Sequence, residues 1–430
     1  PEVLLKTDAR FTRALRAHQI SDVTHHAGQG TDLCLNPPLG GGLRALHWER
    51  CTTAEPRSGE VVVAAKAVGL NFRDVMFAMG LLPEEILEGG LAGPTLGLEC
   101  AGEVVAVGHG VEGLEVGDHV VCFAARCFAT RVVARADACF RMPADWDASA
   151  AATVTTTFFT GLYALEHLAR LEPGERVLIH GASGGVGMAA IQIARHMGAE
   201  VLATAGSEEK RAVLELLGAR QVFDSRSLDF ASDVLAATDG EGVDVVLNCI
   251  AGEALRRGLD ILRPFGRFLE LGKRDFVEDT RVGLRPFRHN ITYFGIDADQ
   301  VLLERPALAA RLLKRLQTLF SEGELSPLPY REFTAHDVAE AFAYMQQSAH
   351  LGKIVVRLDD LHARAKNFNV NQSFGIREDA TYLVSGGTRG FGLASAEWLF
   401  GHGARHIVLV GRNGLTRDEE RSKVEAMRQK

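Results

Sequence analysis

The sequence lacks the features that mark several common classes of protein. It has no uninterrupted apolar run of about 18 residues, the length that a membrane-spanning helix requires, so we expect no membrane span. Its formal net charge is −8 and it contains no basic tract, which argues against nucleic acid as a partner. The start of the chain, PEVLLKTDAR, has no signal-peptide pattern. The 430 residues suffice for about two to three domains with a large buried core.

None of the seven cysteines stands in a CxxC pair, and their number is odd. This usage favours a reducing compartment, which we take to be the cytoplasm. The spacing predicts neither a disulfide framework nor a zinc cluster, so we predict no metal site. We expect most of these cysteines to be small buried hydrophobic residues.

The apolar pattern changes along the chain and predicts an α/β protein of several parts. From about 60 to 142, short β-rich runs separated by glycine indicate a compact, mostly antiparallel β domain. From about 157 to 300, apolar strands alternate with amphipathic helices, which is typical of a doubly wound parallel sheet of the Rossmann type. The later run LGKIVVRL, at 351–358, is predicted to be a strand that rejoins the first β domain.

A glycine-rich turn lies between the strand RVLIH and the helix MAAIQIARHM. Glycine permits a tight turn and a close approach of backbone N–H groups to a pyrophosphate, next to the positive end of a helix. The turn therefore predicts dinucleotide binding, with a purely structural turn as the alternative. Its predicted cofactor-binding residues are Gly181, Ser183, Gly184, Gly185, Val186 and Gly187.

No carboxylate follows the next strand, where an NAD site usually carries one for the ribose 2′-hydroxyl. That region reads ATAGSEEKR, which favours NADPH because Ser207, Lys210 and Arg211 can meet a 2′-phosphate. The alternative is that Lys210 and Arg211 are solvated helix charges that pair with the two preceding glutamates. Arg226, in DSRSLDF, is a further candidate for the adenosine phosphate, or else a surface charge.

Several segments together resemble the medium-chain dehydrogenase/reductase family, and in particular the enoyl reductase domains of polyketide and fatty acid synthases. The segments that carry this resemblance are GLNFRDVMFAMG, GLECAGEVVAVG, VGDHVV, GASGGVGMAAIQIARHMGAEV, VDVVLNCIAGE, GRFLELGKRD and HLGKIVVRL. The last part, TYLVSGGTRGFG with VLVGRNG, resembles the start of a ketoreductase domain. We therefore expect the chain to be part of a longer synthase.

The resemblance implies a division of the chain into five segments. These are a connector at 1–35, a GroES-like substrate domain at 36–156 and 326–358, an NADPH-binding Rossmann domain at 157–325, a linker at 359–379, and an incomplete ketoreductase fragment with a partial second Rossmann βαβ unit at 380–430.

The resemblance also implies a reaction. The zinc-dependent branch of the family carries a His-Glu pair where this chain has Leu98-Glu99, so a zinc-free reductase is expected. Such an enzyme reduces the α,β double bond of an enoyl thioester bound to an acyl carrier protein, with NADPH as the cofactor. Its partners are the carrier's phosphopantetheine-bound substrate and the other synthase domains, especially the ketoreductase. A second copy of the chain, in a homodimer, is a further candidate partner. The alternatives are a free-standing quinone or alkenal reductase and a non-catalytic NADPH-binding scaffold.

The predicted catalytic residues lie where two consecutive strands end, because ligands of such sheets bind at the carboxyl ends of the strands. Lys273 follows GRFLELG, and Asp297 and Asp299 follow ITYFGI. By resemblance, a lysine and an aspartate at these positions are proton-donor candidates, and Asp297 ranks slightly above Asp299. The alternatives are a surface pair of Lys273 with Asp275 and a helix-capping role for either acid.

Two more residues are predicted to contact the nicotinamide. Asn71, in LNFRD, carries an amide that can orient the nicotinamide or the substrate carbonyl, or it is a turn-forming residue. Thr160, in TTTFFTGLYAL, resembles the family's threonine near the nicotinamide and is expected at the start of the helix that joins the two domains. A plain helix-terminal threonine is the alternative.

Overall fold

A computed structural model describes residues 3–6, 9–12, 32–37, 42–359, 361, 376, 378–412 and 414–428. The predicted connector at 1–35 and linker at 359–379 lie mostly outside these residues. The chain divides into two compact units, 1–368 and 369–430, and each is described by itself. Across the described ranges, no helix combines the length and the apolar character that crossing a bilayer requires.

Nineteen strands are described. In chain order they are β1 (Val3–Lys6), β2 (Ala9–Thr12), β3 (Asp32–Asn36), β4 (His47–Cys51), β5 (Glu60–Leu70), β6 (Glu99–Val107), β7 (His119–Phe123), β8 (Arg131–Arg135), β9 (Cys139–Arg141), β10 (Arg176–Ile179), β11 (Glu200–Ala205), β12 (Gln221–Asp224), β13 (Val243–Asn248), β14 (Leu262–Glu270), β15 (Thr292–Gly295), β16 (Tyr330–Thr334), β17 (Lys353–Arg357), β18 (Thr381–Ser385) and β19 (His406–Val410).

The α-helices of the described residues are α1 (Phe72–Ala78), α2 (Glu84–Gly89), α3 (Ala148–Ala151), α4 (Thr155–Leu162), α5 (Gly185–His196), α6 (Glu208–Leu216), α7 (Phe230–Ala237), α8 (Glu253–Asp260), α9 (Arg274–Val277), α10 (Ala298–Glu304), α11 (Pro306–Ser321), α12 (Val338–Gln346), α13 (Gly390–Gly401) and α14 (Asp418–Arg428). Helix α4 continues into π-helical turns at Tyr163–Leu168.

The β-rich part of the first unit is a seven-stranded sheet with the order β16-β17-β5-β6-β7-β9, and β8 pairs with β5. Its pairs are antiparallel except that of β16 with β17. The late strand β17 pairs with β5, Ile354 opposite Leu70, as the sequence predicts. The hairpin of β3 and β4 was not predicted, and β3 crosses the predicted boundary at residue 35.

The second part of this unit is a six-stranded parallel sheet with the order β12-β11-β10-β13-β14-β15. Its apolar strands are largely buried because helices cover both faces of such a sheet. The strand order reverses between β10 and β13, so the ligand-binding cleft, called the cleft from here on, lies outside the carboxyl ends of these strands. The predicted α/β class, with a mostly antiparallel β-rich part and a parallel sheet of the Rossmann type, is confirmed.

One hydrophobic core joins the two parts of the first unit. Phe320 of α11 packs edge-on against Trp146 and Phe158, with ring centroids 5.0 Å apart in both pairs. It also stacks on Phe140 of β9 at 6.4 Å. Helix α11 follows the parallel sheet in the chain, whereas β9 belongs to the β-rich part, so burial of these rings opposes separation of the two parts.

The second unit contains the parallel pair β18 and β19 with α13 between them in the chain. A glycine turn precedes α13, and a Cβ at Gly392 would lie 2.3 Å from the carbonyl oxygen of Gly386. Only glycine allows the helix to pack this closely on the turn. The predicted βαβ unit is therefore present.

Candidate active site

The glycine turn connects β10 to α5 at the carboxyl edge of the parallel sheet. Gly181 has φ of +59°, a backbone conformation that favours glycine. A Cβ at Gly187 would lie 2.5 Å from Cα of Ala182, so the first turn of α5 can approach the preceding strand only without a side chain. Gly184 precedes the helix and offers no side-chain cap, which leaves the first N–H groups of α5, including that of Val186, for an external acceptor.

The four residues predicted to meet a 2′-phosphate lie together where β11 ends. Ser207 caps α6 and accepts the backbone N–H of Lys210 at 3.4 Å. The Arg211 guanidinium donates to the carbonyl of Ala205 at 3.3 Å. A Cβ at Gly206 would lie 3.2 Å from Nε of Arg226. Nζ of Lys210 donates to the backbone carbonyl of Ser348 at 2.8 Å rather than to a preceding glutamate, and the Arg211 guanidinium lies 3.9 Å from Oδ2 of Asp224.

His350 adds a polar atom to this region. Its Nδ1 is buried and has no hydrogen-bond partner among the described residues. Burial, together with the nearby positive charges of Lys210 and Lys353, lowers the pKa of His350 to about 4. A neutral imidazole with an unused nitrogen beside Lys210 fits a site that receives a polar, negatively charged group. The donor chemistry of this region therefore suits the phosphorylated ribose of NADPH.

The predicted catalytic residues come together at the carboxyl ends of β14 and β15. Nζ of Lys273 lies 2.6 Å from Oδ2 of Asp297, and a third of each side chain is exposed. Lys273 pairs with Asp297 rather than with Asp275, which instead accepts the backbone N–H of Gly252 at 3.1 Å. Lys273 thus presents an ammonium group that is held in position and still reachable from the cleft.

Asp299 lies two residues beyond Asp297, in the first turn of α10. Burial and the negative charge of Asp297 raise the pKa of Asp299 to about 6, although the positive charges of Lys273 and Arg73 act in the opposite direction. Arg73 donates its guanidinium to the carbonyls of Gly93 and Thr95 and so comes from the β-rich part. Asp299 therefore lies between the two parts of the first unit, close to its charge change near neutral pH.

A buried ion pair that the sequence analysis missed lies at the base of the cleft. Nζ of Lys353 lies 2.6 Å from Oε1 of Glu99, and the two side chains are 3% and 0% exposed. The same ammonium donates to Oδ1 of Asn71 at 2.8 Å and to the carbonyl of Leu70 at 3.0 Å. The backbone N–H of Thr156 donates to Oε2 of Glu99 at 2.8 Å. Both charges are thereby paired and hydrogen-bonded, which buried charges require.

Asn71 belongs to this network. Its Nδ2 donates to the carbonyl of Gly69 at 3.2 Å and to Oε1 of Glu99 at 3.1 Å. Its Oδ1 accepts from Lys353 and from the Thr156 hydroxyl, at 2.8 and 3.0 Å. Both amide hydrogens are occupied within the chain and Oδ1 accepts from Lys353, while the single hydroxyl hydrogen of Thr156 is shared between Oδ1 and the nearer Oε1 of Glu99. The geometry therefore suits a residue that fixes the cleft floor better than one that reaches for a ligand.

Thr160 is predicted at the start of the helix that joins the two domains, and this prediction is wrong. Helix α4 begins at Thr155, and Thr160 lies inside it. The threonine that enters the polar network is Thr156, one helical turn earlier. The run TTTFFT offers four threonines, and only the helix start, which the sequence does not define, distinguishes them.

The backbone ties the glycine turn to the strand that carries Lys353. The N–H of Gly352 donates to the carbonyl of Ser183 at 2.8 Å, and Gly352 forms a parallel bridge with Gly184. A Cβ at Gly185 would lie 3.0 Å from Cδ of Lys353. The lysine stem therefore runs directly beneath the start of α5, on its way to Glu99.

Three cysteines that are distant in sequence also meet. The sulfurs of Cys100, Cys122 and Cys127 all lie within 4.8 Å of one another, and all three residues are buried. Cys100 and Cys122 are cross-strand partners in β6 and β7. The expectation of no cysteine cluster relied on spacing along the chain, whereas the fold creates this proximity. Burial raises the pKa of the Cys127 thiol, whereas hydrogen bonds from the Cys100, Cys127 and Cys139 thiols lower the pKa of the Cys122 thiol.

Comparisons with known proteins agree with this architecture. Residues 57–166 match the family model for the alcohol dehydrogenase GroES-like domain, residues 185–313 the model for zinc-binding dehydrogenase, and residues 380–430 the KR domain. The mycocerosic acid synthase-like polyketide synthase of Mycobacterium tuberculosis is 40% identical over 395 residues, which cover 91% of this chain and 18% of that protein. This chain thus spans less than a fifth of the length of that curated relative.

Solved structures extend the comparison. The crystal structure of CurK enoyl reductase is 38% identical with a TM-score of 0.70, and the match covers 76% of this chain and 99% of that one. A quinone oxidoreductase of Escherichia coli, solved in complex with NADPH, is 26% identical with a TM-score of 0.66 and the same coverage.

The buried ion pair leads to a prediction about stability. Lys353→Met leaves the carboxylate of Glu99 buried without its cation, so we expect the free energy of unfolding to fall by roughly 3–5 kcal/mol. The double variant Lys353→Met/Glu99→Gln removes both charges and is expected to recover most of that loss. Urea denaturation measures both values.

The matched control is Lys66→Met, which breaks the pair with Glu103, whose side chains are 35% and 41% exposed. We expect it to change the free energy of unfolding by about 1 kcal/mol at most. A Lys353→Met protein as stable as the Lys66→Met protein would contradict the assigned role of the buried pair.

Proposed function

The chain belongs to the enoyl reductase family of polyketide synthases, and its residues 380–430 match the KR domain; from this premise we propose that it reduces the α,β double bond of a carrier-bound enoyl thioester with NADPH. The observation that carries the proposal is the held ammonium of Lys273, 2.6 Å from Asp297. It lies at the same sheet edge as the uncapped glycine turn. An ammonium at this edge can meet the negative charge that develops on an enolate.

The residues of the turn and of the β11 end would hold the cofactor. Gly181, Ser183 and the helix start Gly184–Gly187 would face the pyrophosphate, and Ser207, Lys210, Arg211 and Arg226 would face the 2′-phosphate. A bound reduced nicotinamide supplies the hydride that the β-carbon of the substrate receives. Asn71 and Thr160 would contribute indirectly, by supporting the floor of the cleft and the helix above it.

Lys273 is the proton donor in this proposal. Its ammonium would stabilise the developing negative charge and then pass a proton to the α-carbon. Asp297 accepts a hydrogen bond from Lys273 and is a positioning residue, because the pair holds the ammonium in place. Asp299 would tune the local charge, because its raised pKa makes its ionisation sensitive to pH near 6.

The family supports a proposal for the substrate and its delivery. Its relatives include polyketide synthases, so other domains of such a synthase are its partners, and residues 380–430 match one of them, the KR domain. We propose that the enoyl chain arrives on the phosphopantetheine of an acyl carrier protein. A free quinone is the second candidate substrate, because the chain also resembles a quinone oxidoreductase.

Turnover tests the proposal directly. With NADPH as reductant, we expect crotonyl-pantetheine to be reduced and benzoquinone to be reduced at least tenfold more slowly, as followed by nicotinamide absorbance. Faster turnover of the quinone would favour the second candidate. Tight NADPH binding without turnover of either compound would indicate a non-catalytic scaffold.

The basic residues at the end of β11 predict a preference between cofactors. Lys210→Ala removes one charged contact to the 2′-phosphate, so we expect the Kd of NADPH to rise by about 10- to 100-fold. The Kd of NADH should stay within about twofold, because NADH lacks that phosphate. Calorimetry gives both constants, with Lys314→Ala on the exposed face of α11 as the matched control. An equal rise in the Kd of NADPH and of NADH would contradict the assignment of Lys210 to the 2′-phosphate.

The catalytic assignment predicts how two variants differ. Lys273→Met should lower kcat by about 10²- to 10⁴-fold, the usual contribution of a general acid, while the Kd of NADPH stays unchanged. The neighbouring Arg274→Met, whose side chain is 72% exposed, is the control and should keep full activity. If the Lys273→Met enzyme stays active, the proton donor is Asp299 or water instead of Lys273.

The raised pKa of Asp299 predicts a pH dependence. Below about pH 6 its carboxyl is protonated and neutral, so Asp299→Asn should match the parent enzyme in kcat/KM there. Above about pH 6 the parent carboxylate is charged and helps to hold the Lys273 ammonium in position by charge attraction, whereas asparagine does not, so the two profiles should separate with the variant lower. Profiles that stay parallel across pH 5–8.5 would contradict this role.

A further inference from the structure

An apolar crevice lies between the β-rich part and helices α10 and α11. Its volume is about 240 Å³, and twelve of the fifteen residues that line it are apolar. One wall contains Phe123 and the residues that follow β7, and the opposite wall contains Leu302, Leu303 and Ala310. Neither the sequence motifs nor the proposed chemistry requires this space.

Helix α10 connects the crevice to the proposed catalytic residues. Asp299 lies in the first turn of α10, and Leu302 and Leu303 follow it by three and four residues. Residues at these spacings share one face of a helix, so the carboxyl of Asp299 and the two crevice leucines face the same side. The crevice therefore begins about one helical turn from Asp299.

Two further connections come from the β-rich part. Leu91 lines the crevice and precedes the loop whose carbonyls, at Gly93 and Thr95, accept the guanidinium of Arg73. Phe123 is the cross-strand partner of Glu99, which belongs to the buried ion pair. Asp299, the loop that holds Arg73, and Glu99 thus each have a crevice residue near them in the chain or across a strand pair.

We propose that this crevice binds the acyl chain of the substrate, with the thioester end at Asp299 and Lys273 and the hydrocarbon end toward α11. The inference rests on the proposed function and deepens it, because it assigns the part of the site that recognises the chain. An apolar cavity of roughly 150 Å³ accommodates benzene, so 240 Å³ accommodates about nine carbon atoms.

The far end of the crevice sets the upper limit of chain length. There the lining becomes charged, with Glu60 and the ion pair of Arg135 and Asp137. The side chains of that pair are 50% and 46% exposed, so this rim faces solvent. A chain longer than the apolar part would place its last carbons among charged groups or in water. These carbons would add no further binding free energy.

The experiment compares thioesters of increasing length. For enoyl-pantetheines from four to twelve carbons, kcat/KM should rise by roughly fourfold for each added methylene that enters the crevice, and level off at about ten carbons. Ala310→Phe fills the crevice from the wall of α11. It should lower the ratio of kcat/KM for the eight-carbon and four-carbon substrates by at least tenfold, and leave the value for crotonyl-pantetheine within about threefold.

The matched control is Ala307→Phe, the same substitution on the same helix at an exposed position outside the crevice lining. It should keep the parent chain-length ratio. An unchanged ratio in Ala310→Phe, or a parallel loss for both substrates, would overturn the proposal.

A second measurement separates this inference from the proposed function. Octanoyl- and butanoyl-pantetheine, which are saturated and need no turnover, are titrated against the parent protein and Ala310→Phe. Stronger binding of the longer chain to the parent, abolished in the variant, supports the crevice even where no enoyl thioester is reduced. Equal binding of both chains to the parent would overturn it even where reduction is fast.

Discussion

The candidate site depends on one physical constraint, which is that two adjacent residues, Gly352 and Lys353, contact two different parts of the site. The backbone of Gly352 pairs with the glycine turn, while the neighbouring Lys353 passes beneath the start of α5 to reach Glu99. The turn that would hold the cofactor phosphates and the strands that form the cleft floor are thereby linked through two adjacent residues. A buried ion pair adds little net stability compared with apolar residues of the same shape. Its value here is geometric, because it holds Asn71 and the start of α4 in one arrangement.

The general architecture could be predicted from the sequence because it depends on local patterns. Alternating apolar runs and helices indicated the parallel sheet, and the glycine turn indicated its ligand-binding edge. The return of β17 to the β-rich part was also predicted, since the segment LGKIVVRL resembles a family strand. What the sequence analysis missed involves pairs distant in the chain, such as Glu99 with Lys353 and Cys100 with Cys122.

A signal for the buried pair was nevertheless present. Glu99 and Lys353 each interrupt an apolar run, in LGLECAG and HLGKIVV, where a lone charge would be costly. Two opposite charges in such runs suggest a mutual partner, although only the register of β17, β5 and β6 brings them together. The start of α4 could not be predicted for a similar reason. Four threonines in one short run give no local sign of which one enters the network.

The roles of the predicted site residues remain predictions that the geometry makes specific. Lys273, Asp297 and Asp299 form one charged group, and the residues chosen for the 2′-phosphate lie together at the end of β11. The central claim is that this arrangement directs hydride to the β-carbon of an enoyl thioester. Reduction of crotonyl-pantetheine with NADPH deuterated at the transferred position tests it most directly. The account predicts one deuterium at the β-carbon of the product and a solvent-derived hydrogen at the α-carbon. A butyryl product without deuterium at the β-carbon, or no butyryl product at all, would contradict it.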